Sequence, residues 1–466
     1  MELKRALCAL VIGSLCFTFS ISVQASSKQS LSQELLDVLA QHPLGVSGFT
    51  LPSSSDMRNI PQDAVNNPLT PSKVKLGGFL YHDTGTGTES VSEDRQGTYS
   101  CATCHHANAG FKAGTPQGIG DGGSGIKNRR LMRGLDASAA DGDPLKPDIQ
   151  PIASPTVLNS AYQRVMLWNG SFGNTGDDVN ANIGSVGNAG PPPIKANQFG
   201  LPGLETQVLA GTHVHRLGFD SLMQSNKKYR NLFNKAFPGG DTGFIPTGSS
   251  VTPAALGAAK AIAAYERTIL ANRAPFQRWL RGKKNAMSTK QLKGALLFFG
   301  KADCVSCHTG PALSSLPDAT EDRIFFNIGF SDFNTDNRRI HGSVPEEFKE
   351  GRGGFTGDPM DNNKFKIPTI YNSKNTRVLG HGASFKTVRQ VIKYKNRAIS
   401  QRAEVDNLAQ EFVPLGLTSR EIVSLTAFVT DALYDPHLSR YQPRSLPTGN
   451  CTIAGDIKSV IEQKCW

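Results

Sequence analysis

The sequence predicts a mainly α chain, built as two similar halves joined by long irregular loops. Three observations carry this reading. Apolar residues recur at helical spacing behind Ser or Thr caps. Stretches that alternate as strands do are few. A helix, a turn and the pattern C-x-x-C-H occur twice, at Cys101–His105 and Cys304–His308, which makes an internal repeat. A chain of 466 residues is long enough to bury two or three cores.

The elements follow in order. Lys4 and Arg5, an apolar run from Leu7 to Phe19 and Val23-Gln24-Ala25 form the pattern of a secretory leader cleaved near Ala25, so residues 1–25 are read as a signal peptide. The run is too short for a stable membrane anchor, and the mature chain is expected to be exported to the periplasm. Residues 26–69 form an N-terminal extension. Within it, Leu31, Leu35, Val38 and Leu39 give Ser30–Gln41 one apolar helical face, and Pro43–Asn67 reads as loop. Thr70-Pro71 opens the next helix, a cap followed by proline in the first turn, through Leu76, Phe79, Leu80 and Tyr81. A polar stretch, Asp83–Ser100, leads into the first motif. Ala113–Pro151 and Phe172–Pro202 lack periodicity and predict irregular structure. Thr252-Pro253 opens an Ala-rich helix reaching Leu270. Ser288 and Gln291 make a capping box for a helix with Leu292, Leu296 and Phe299 as its stripe, ended by Gly300 before the second motif. Thr418 and Glu421 make another, ahead of Ile422, Leu425, Phe428, Val429 and Leu433. The two halves are residues 70–285 and 286–440, followed by a tail, 441–466.

C-x-x-C-H is the attachment signature of a c-type haem. Two thiols on one turn can form thioethers to the two vinyl groups of a porphyrin, and the following His faces the iron. One copy alone also fits a zinc half-site or a redox dithiol. Zinc needs four clustered ligands, and two full copies in an exported chain point instead to two covalently bound haem c groups. Cys101, Cys104 and His105 would hold one, and Cys304, Cys307 and His308 the other. The fold expectation is therefore two cytochrome-c-like haem domains with long irregular loops. Cys8 and Cys16 leave with the leader, so Cys451 and Cys465 are expected to pair in the oxidising compartment. The net charge of +11 favours acidic partners, but Lys and Arg are scattered without a basic run, which gives no case for nucleic acid.

Further pieces stand in a fixed order: Leu76-Gly77 through Asp83, Ser154–Asn159, Trp168-Asn169-Gly170, Leu204–Gln207, Tyr265–Thr268, Gly310-Pro311, Phe365–Thr369, and His381-Gly382 with Thr387–Tyr394. With both motifs, this set resembles the bacterial dihaem cytochrome c peroxidase family, which also contains MauG, the enzyme that matures methylamine dehydrogenase. The likeness runs from about Lys73 to Leu433.

The resemblance implies that the N-terminal haem reacts with hydrogen peroxide. It implies that the C-terminal haem takes electrons from a small redox donor, a c-type cytochrome or a copper protein. Trp168 matches the family's relay tryptophan and Gln207 its glutamine beside the peroxide. The family's glutamate, about ten residues further on, is absent here. Arg216 stands nearest to that place, where an arginine could stabilise negative charge on a peroxide oxygen. His213 or His215 could serve as base or close the iron. The catalytic set read this way is Gln207, Arg216, His215 and Trp168. Phe111–Leu135 holds no histidine, which implies an open distal face at the first haem. For the second haem the family draws a ligand from the helix Lys386–Asn396. Counting from His381, that position is Lys395, which shares a stripe with Val388, Val391 and Ile392. Tyr394, Met360 or a water are the alternatives. In the family's calcium site Ala153 replaces the asparagine while the carbonyls of Thr376 and Val378 remain, so calcium is left optional. A homodimer is allowed. The leading function is a periplasmic peroxide-reducing oxidoreductase. A MauG-like oxidase of a protein or organic substrate and a non-catalytic electron carrier are the alternatives.

Overall fold

The computed structural model describes residues 27–132, 134–140, 142–173, 197, 199–334, 337, 339–342, 344–403 and 405–465. The leader, Cys8 and Cys16 lie outside these residues, as does most of the expected loop Phe172–Pro202. Helix accounts for 42% and strand for 5%, so the chain is mainly α. In chain order the α-helices are α1 Lys28–Gln41, α2 Pro71–His82, α3 Cys101–Cys104, α4 Gly203–Val214, α5 Asp220–Ser225, α6 Lys227–Ala236, α7 Pro253–Arg267, α8 Pro275–Leu280, α9 Thr289–Phe299, α10 Glu346–Lys349, α11 Arg352–Thr356, α12 Val388–Arg397, α13 Ser419–Ala427 and α14 Ile457–Gln463. Two short antiparallel pairs complete the set: β1 Gly123–Ser124 with β2 Leu131–Met132, and β3 Phe325–Phe326 with β4 Phe365–Lys366.

The helices begin where side chains can satisfy their free N–H groups. Thr70, Thr252, Ser288, Thr387 and Thr418 each accept from the backbone N–H three residues on. Each such cap contributes about 1 kcal/mol. α1 starts at Lys28 behind Ser27, two residues before the sequence-based start. α13 does not simply stop; it continues as a π-turn over Phe428–Ala432.

The two halves repeat one design. α2 lies across α7, and α9 lies across α13. A Cβ on Gly77 would sit 1.8 Å from the Ala261 carbonyl oxygen, and one on Gly294 would sit 2.0 Å from that of Ser424. Backbones this close admit no side chain at either point. After each motif a Pro-Thr segment returns: Thr156 Oγ1 donates to Gly110 O (2.7 Å) and Thr369 Oγ1 to Ala312 O (2.5 Å). Asn159 and Asn372, both left-handed, then bind the chain beyond the crossing helix. Asn159 Oδ1 accepts from Ala271 N (2.9 Å) and Asn372 Oδ1 from Asp435 N (3.1 Å).

One apolar core runs through both halves, with the Phe428 ring 5.3 Å from Phe276, edge-on, and 5.3 Å from Phe298, tilted. The tail crosses back to the first half. Asp456 accepts from Gly125 N and Arg130, and Ile453 O accepts from Thr103 Oγ1. Cys451 and Cys465 are disulfide-bonded. Among the described residues no helix is long and apolar enough to cross a membrane.

Candidate active site

α3 is a single turn that places Cys101 and Cys104 together, with His105 as its C-cap. Tyr81 Oη donates to His105 O (2.6 Å), tying the motif to α2. His105 Nδ1 lies 3.3 Å from Phe111 O, so Nδ1 carries the proton and Nε2 keeps its lone pair. The second motif uses the same device, with His308 Nδ1 3.2 Å from Leu313 O. Phe111 and Leu313 both have positive φ, which turns each carbonyl back onto its histidine. Burial pushes both imidazoles down to about 4, so each is neutral and able to bind a metal. The four motif cysteines are free thiols, and burial raises Cys104 and Cys304 to about 12.

A cavity opens over the first motif, lined among others by Cys101, Cys104, His105, Gln207, His215 and Glu266. Two unpaired thiols, a neutral imidazole with a free lone pair and this space fit a covalently held haem. Gln207 and Gly211 lie on one face of α4, and His215, its C-cap, continues that face. His215 Nδ1 is 2.9 Å from Asp148. Burial lowers the imidazole's pKa, the carboxylate more than offsets this, and the net direction is up.

Arg216 does not join this wall, contrary to the sequence expectation. Its guanidinium pairs with the buried Asp121 (2.5 Å) and donates to Lys146 O, and it is absent from the cavity lining. Its backbone turns left-handed at the end of α4, which aims the side chain away. His213 is exposed. Of the three candidates in this stretch, only His215 reaches the cavity. His106 is buried with Nε2 on Ala113 O.

Trp168 is buried and its indole donates to Ala153 O (2.7 Å). That carbonyl belongs to the segment whose Pro155 O faces His105. On the other side, Trp168 O accepts from Lys366 N (2.8 Å), two residues before Pro368, whose carbonyl faces His308. Trp168 thus joins the two returning segments.

At the second motif, burial lowers the pKa of Lys395, and its charge acts on Cys307, Cys304 and His308. Its Nζ sits 5.1 Å over the Phe412 ring. Tyr394 points elsewhere: its hydroxyl donates to Ile328 O, among Phe330, Phe385 and Phe412. Met360 is 68% exposed.

Sequence reasoning gave no role to Glu266, Asp148 or Lys366. Glu266 stood only as part of the Tyr265–Thr268 piece, beside Arg267 at the end of α7. Lys366, buried and bonded to Gln163, was seen only as part of a motif. Asp148 sits in irregular chain, where no local pattern marks it.

Residues 71–285 match the family model described as di-haem cytochrome c peroxidase. The chain is 28% identical over 405 residues to the cytochrome-c peroxidase IdrP1 of Denitromonas iodatirespirans, covering 81% of this chain and 88% of that protein. It is 25% identical over 372 residues to the methylamine utilization protein MauG of Methylorubrum extorquens, covering 79% and 80%. A solved MauG-like protein associated with microbial copper homeostasis has a similar fold, with a TM-score of 0.55 and 21% identity over 84% of this chain and 97% of that one.

Proposed function

The chain belongs to the di-haem cytochrome c peroxidase family, and from that premise we propose that it reduces hydrogen peroxide at the first site with electrons that a small redox protein delivers to the second. It is an oxidoreductase with two haem cofactors. Cys101, Cys104 and His105 hold one haem, and Cys304, Cys307 and His308 the other. Bound haem supplies the redox chemistry.

The observation that carries the reading is the unlike surroundings of two like motifs. The first opens on a cavity with an amide and an imidazole on its wall, Gln207 and His215. Those groups can hold a peroxide and move its proton. The second has Lys395 set against it, which suits a closed electron-transfer site. Trp168, bonded to both returning segments, is the electron relay. The donor is a c-type cytochrome or a copper protein, and the leader and paired tail cysteines support a periplasmic location.

The test is steady consumption of hydrogen peroxide by the purified haem-loaded protein supplied with a reduced small c-type cytochrome or copper protein. Turnover supports the reading. No turnover, together with oxidation of a protein or organic substrate by added peroxide, overturns it in favour of the MauG-like alternative.

A further inference from the structure

This inference rests on the peroxide-reducing reading and concerns how the first site moves a proton. Gln207, Gly211 and His215 are spaced four residues apart, so they share one face, and all three line the cavity. A Cβ on Gly211 would come 3.4 Å from Gln207 Nε2 and 3.9 Å from His215 Cδ2. Glycine therefore keeps clear the space between an amide and an imidazole.

His215 is held from behind. Its Nδ1 lies 3.1 and 2.9 Å from the two carboxylate oxygens of Asp148, whose side chain is only 9% exposed. A carboxylate accepts, so the proton sits on Nδ1 and Nε2 is left with the lone pair. Asp148 is itself fixed by its backbone, with its N–H on Asp121 O and its carbonyl on Gly120 N, both at 2.9 Å. A Cβ on Gly120 would sit 2.2 Å from Asp148 Oδ2, so the carboxylate rests on bare backbone. Asp121 occupies the neighbouring Arg216, which leaves Asp148 to His215.

We propose that Asp148 is a positioning residue that makes His215 the proton carrier for cleavage of the peroxide bond in the gap over Gly211. Gln207 holds the peroxide by its amide. His215 Nε2 takes the proton from the oxygen nearer the haem and returns it to the far oxygen. The O–O bond breaks, and the far oxygen leaves as water with the bonding pair. The near oxygen becomes a second water with two electrons from the redox donor and two protons from solvent.

The test uses the haem-loaded protein and three variants, His215→Ala, Asp148→Asn and Asp148→Glu. Three quantities are read: the resting spin state of the first haem, its rate of reaction with hydrogen peroxide across pH, and its rate of association with cyanide. Hydrogen cyanide must also give up a proton to bind. The titratable groups that share the cavity with His215 are Asp148, Glu266, His105, Tyr99, Cys101 and Cys104. His215→Ala should slow both rates ~10²- to 10⁴-fold. Asp148→Asn should slow them ~10-fold or more and move the acid limb of the peroxide profile to lower pH. Asp148→Glu should recover part of the loss, with the resting spectrum unchanged throughout. Loss of a low-spin signal at the first haem in His215→Ala would make His215 an iron ligand and overturn the proposal. Unchanged rates and an unmoved pH profile in Asp148→Asn would overturn it too. Fast, His215-dependent reaction with peroxide but no turnover with reduced cytochrome would support this proton carrier while rejecting the peroxidase reading.

Discussion

Glu266 should make the stability of the protein fall as pH rises. Its side chain is 5% exposed in the cavity wall, and Oε2 has no hydrogen-bond partner. Burial, and then the nearby Glu205 carboxylate, push its pKa from 4.5 up to about 8 against the pull of Arg267. Between those two values the folded protein holds a proton that the unfolded chain has released. The folded state binds more protons there, so stability declines with rising pH across that window and levels off above it. One group can contribute at most ~1.4 kcal/mol per pH unit. Glu266→Gln keeps the shape and removes the titration. For each unit of pH raised inside the window, the wild type should lose ~1 kcal/mol more than the variant. Denaturant midpoints of the two haem-loaded proteins, measured in parallel at several pH values, read the difference. Parallel curves would refute the reasoning, because they would mean that Glu266 is charged in the folded protein or already paired.

Three more outcomes are expected. Trp168→Phe leaves the buried Ala153 carbonyl without its donor, costing ~1–3 kcal/mol, keeps both haems and slows electron transfer between them; unchanged turnover when that transfer is limiting removes Trp168 as the relay. Gly294→Ala forces α9 and α13 apart at their crossing and should cost ~1–3 kcal/mol, read as a lower Tm; an unshifted Tm would show that the crossing yields freely. Lys395→Ala should abolish the low-spin signal of the second haem; an unaltered signal excludes Lys395 from coordination.

Both motifs, the caps and the helices α2, α7, α9 and α13 were legible because each is a local pattern. Thr70-Pro71, Ser288 with Gln291 and Thr418 with Glu421 carry their signal within a few residues. The likeness of the Pro-Thr segments was written in the chain as well, in Pro155-Thr156 and Pro368-Thr369. Recognising them as one device required seeing that each Asn binds the chain beyond a crossing helix. Arg216 was misplaced for a related reason. Counting from Gln207 brings it to the right point of the chain, but a left-handed turn at that residue reverses the direction of its side chain. Asp148 was invisible because its meaning lies in a contact 67 positions away with His215.

The repeat also constrains how the two sites can differ. Each histidine is oriented by the carbonyl of a positive-φ residue and each faces a proline carbonyl, so the frame treats both alike. Difference in chemistry must then come from what stands opposite. At the first motif that is α4, where a glycine separates two polar side chains. At the second it is α12, whose Tyr394 is locked into an aromatic group while Lys395 lies against the motif. Because Trp168 is hydrogen-bonded to the returning segments of both copies, a shift of either segment acts on the same indole. A change at the second site can therefore reach the first without moving a helix, through the backbone between Lys366 and Pro368 and that between Ala153 and Pro155. This route predicts that substitutions in these two short segments alter electron transfer between the haems more than they alter either haem's own spectrum.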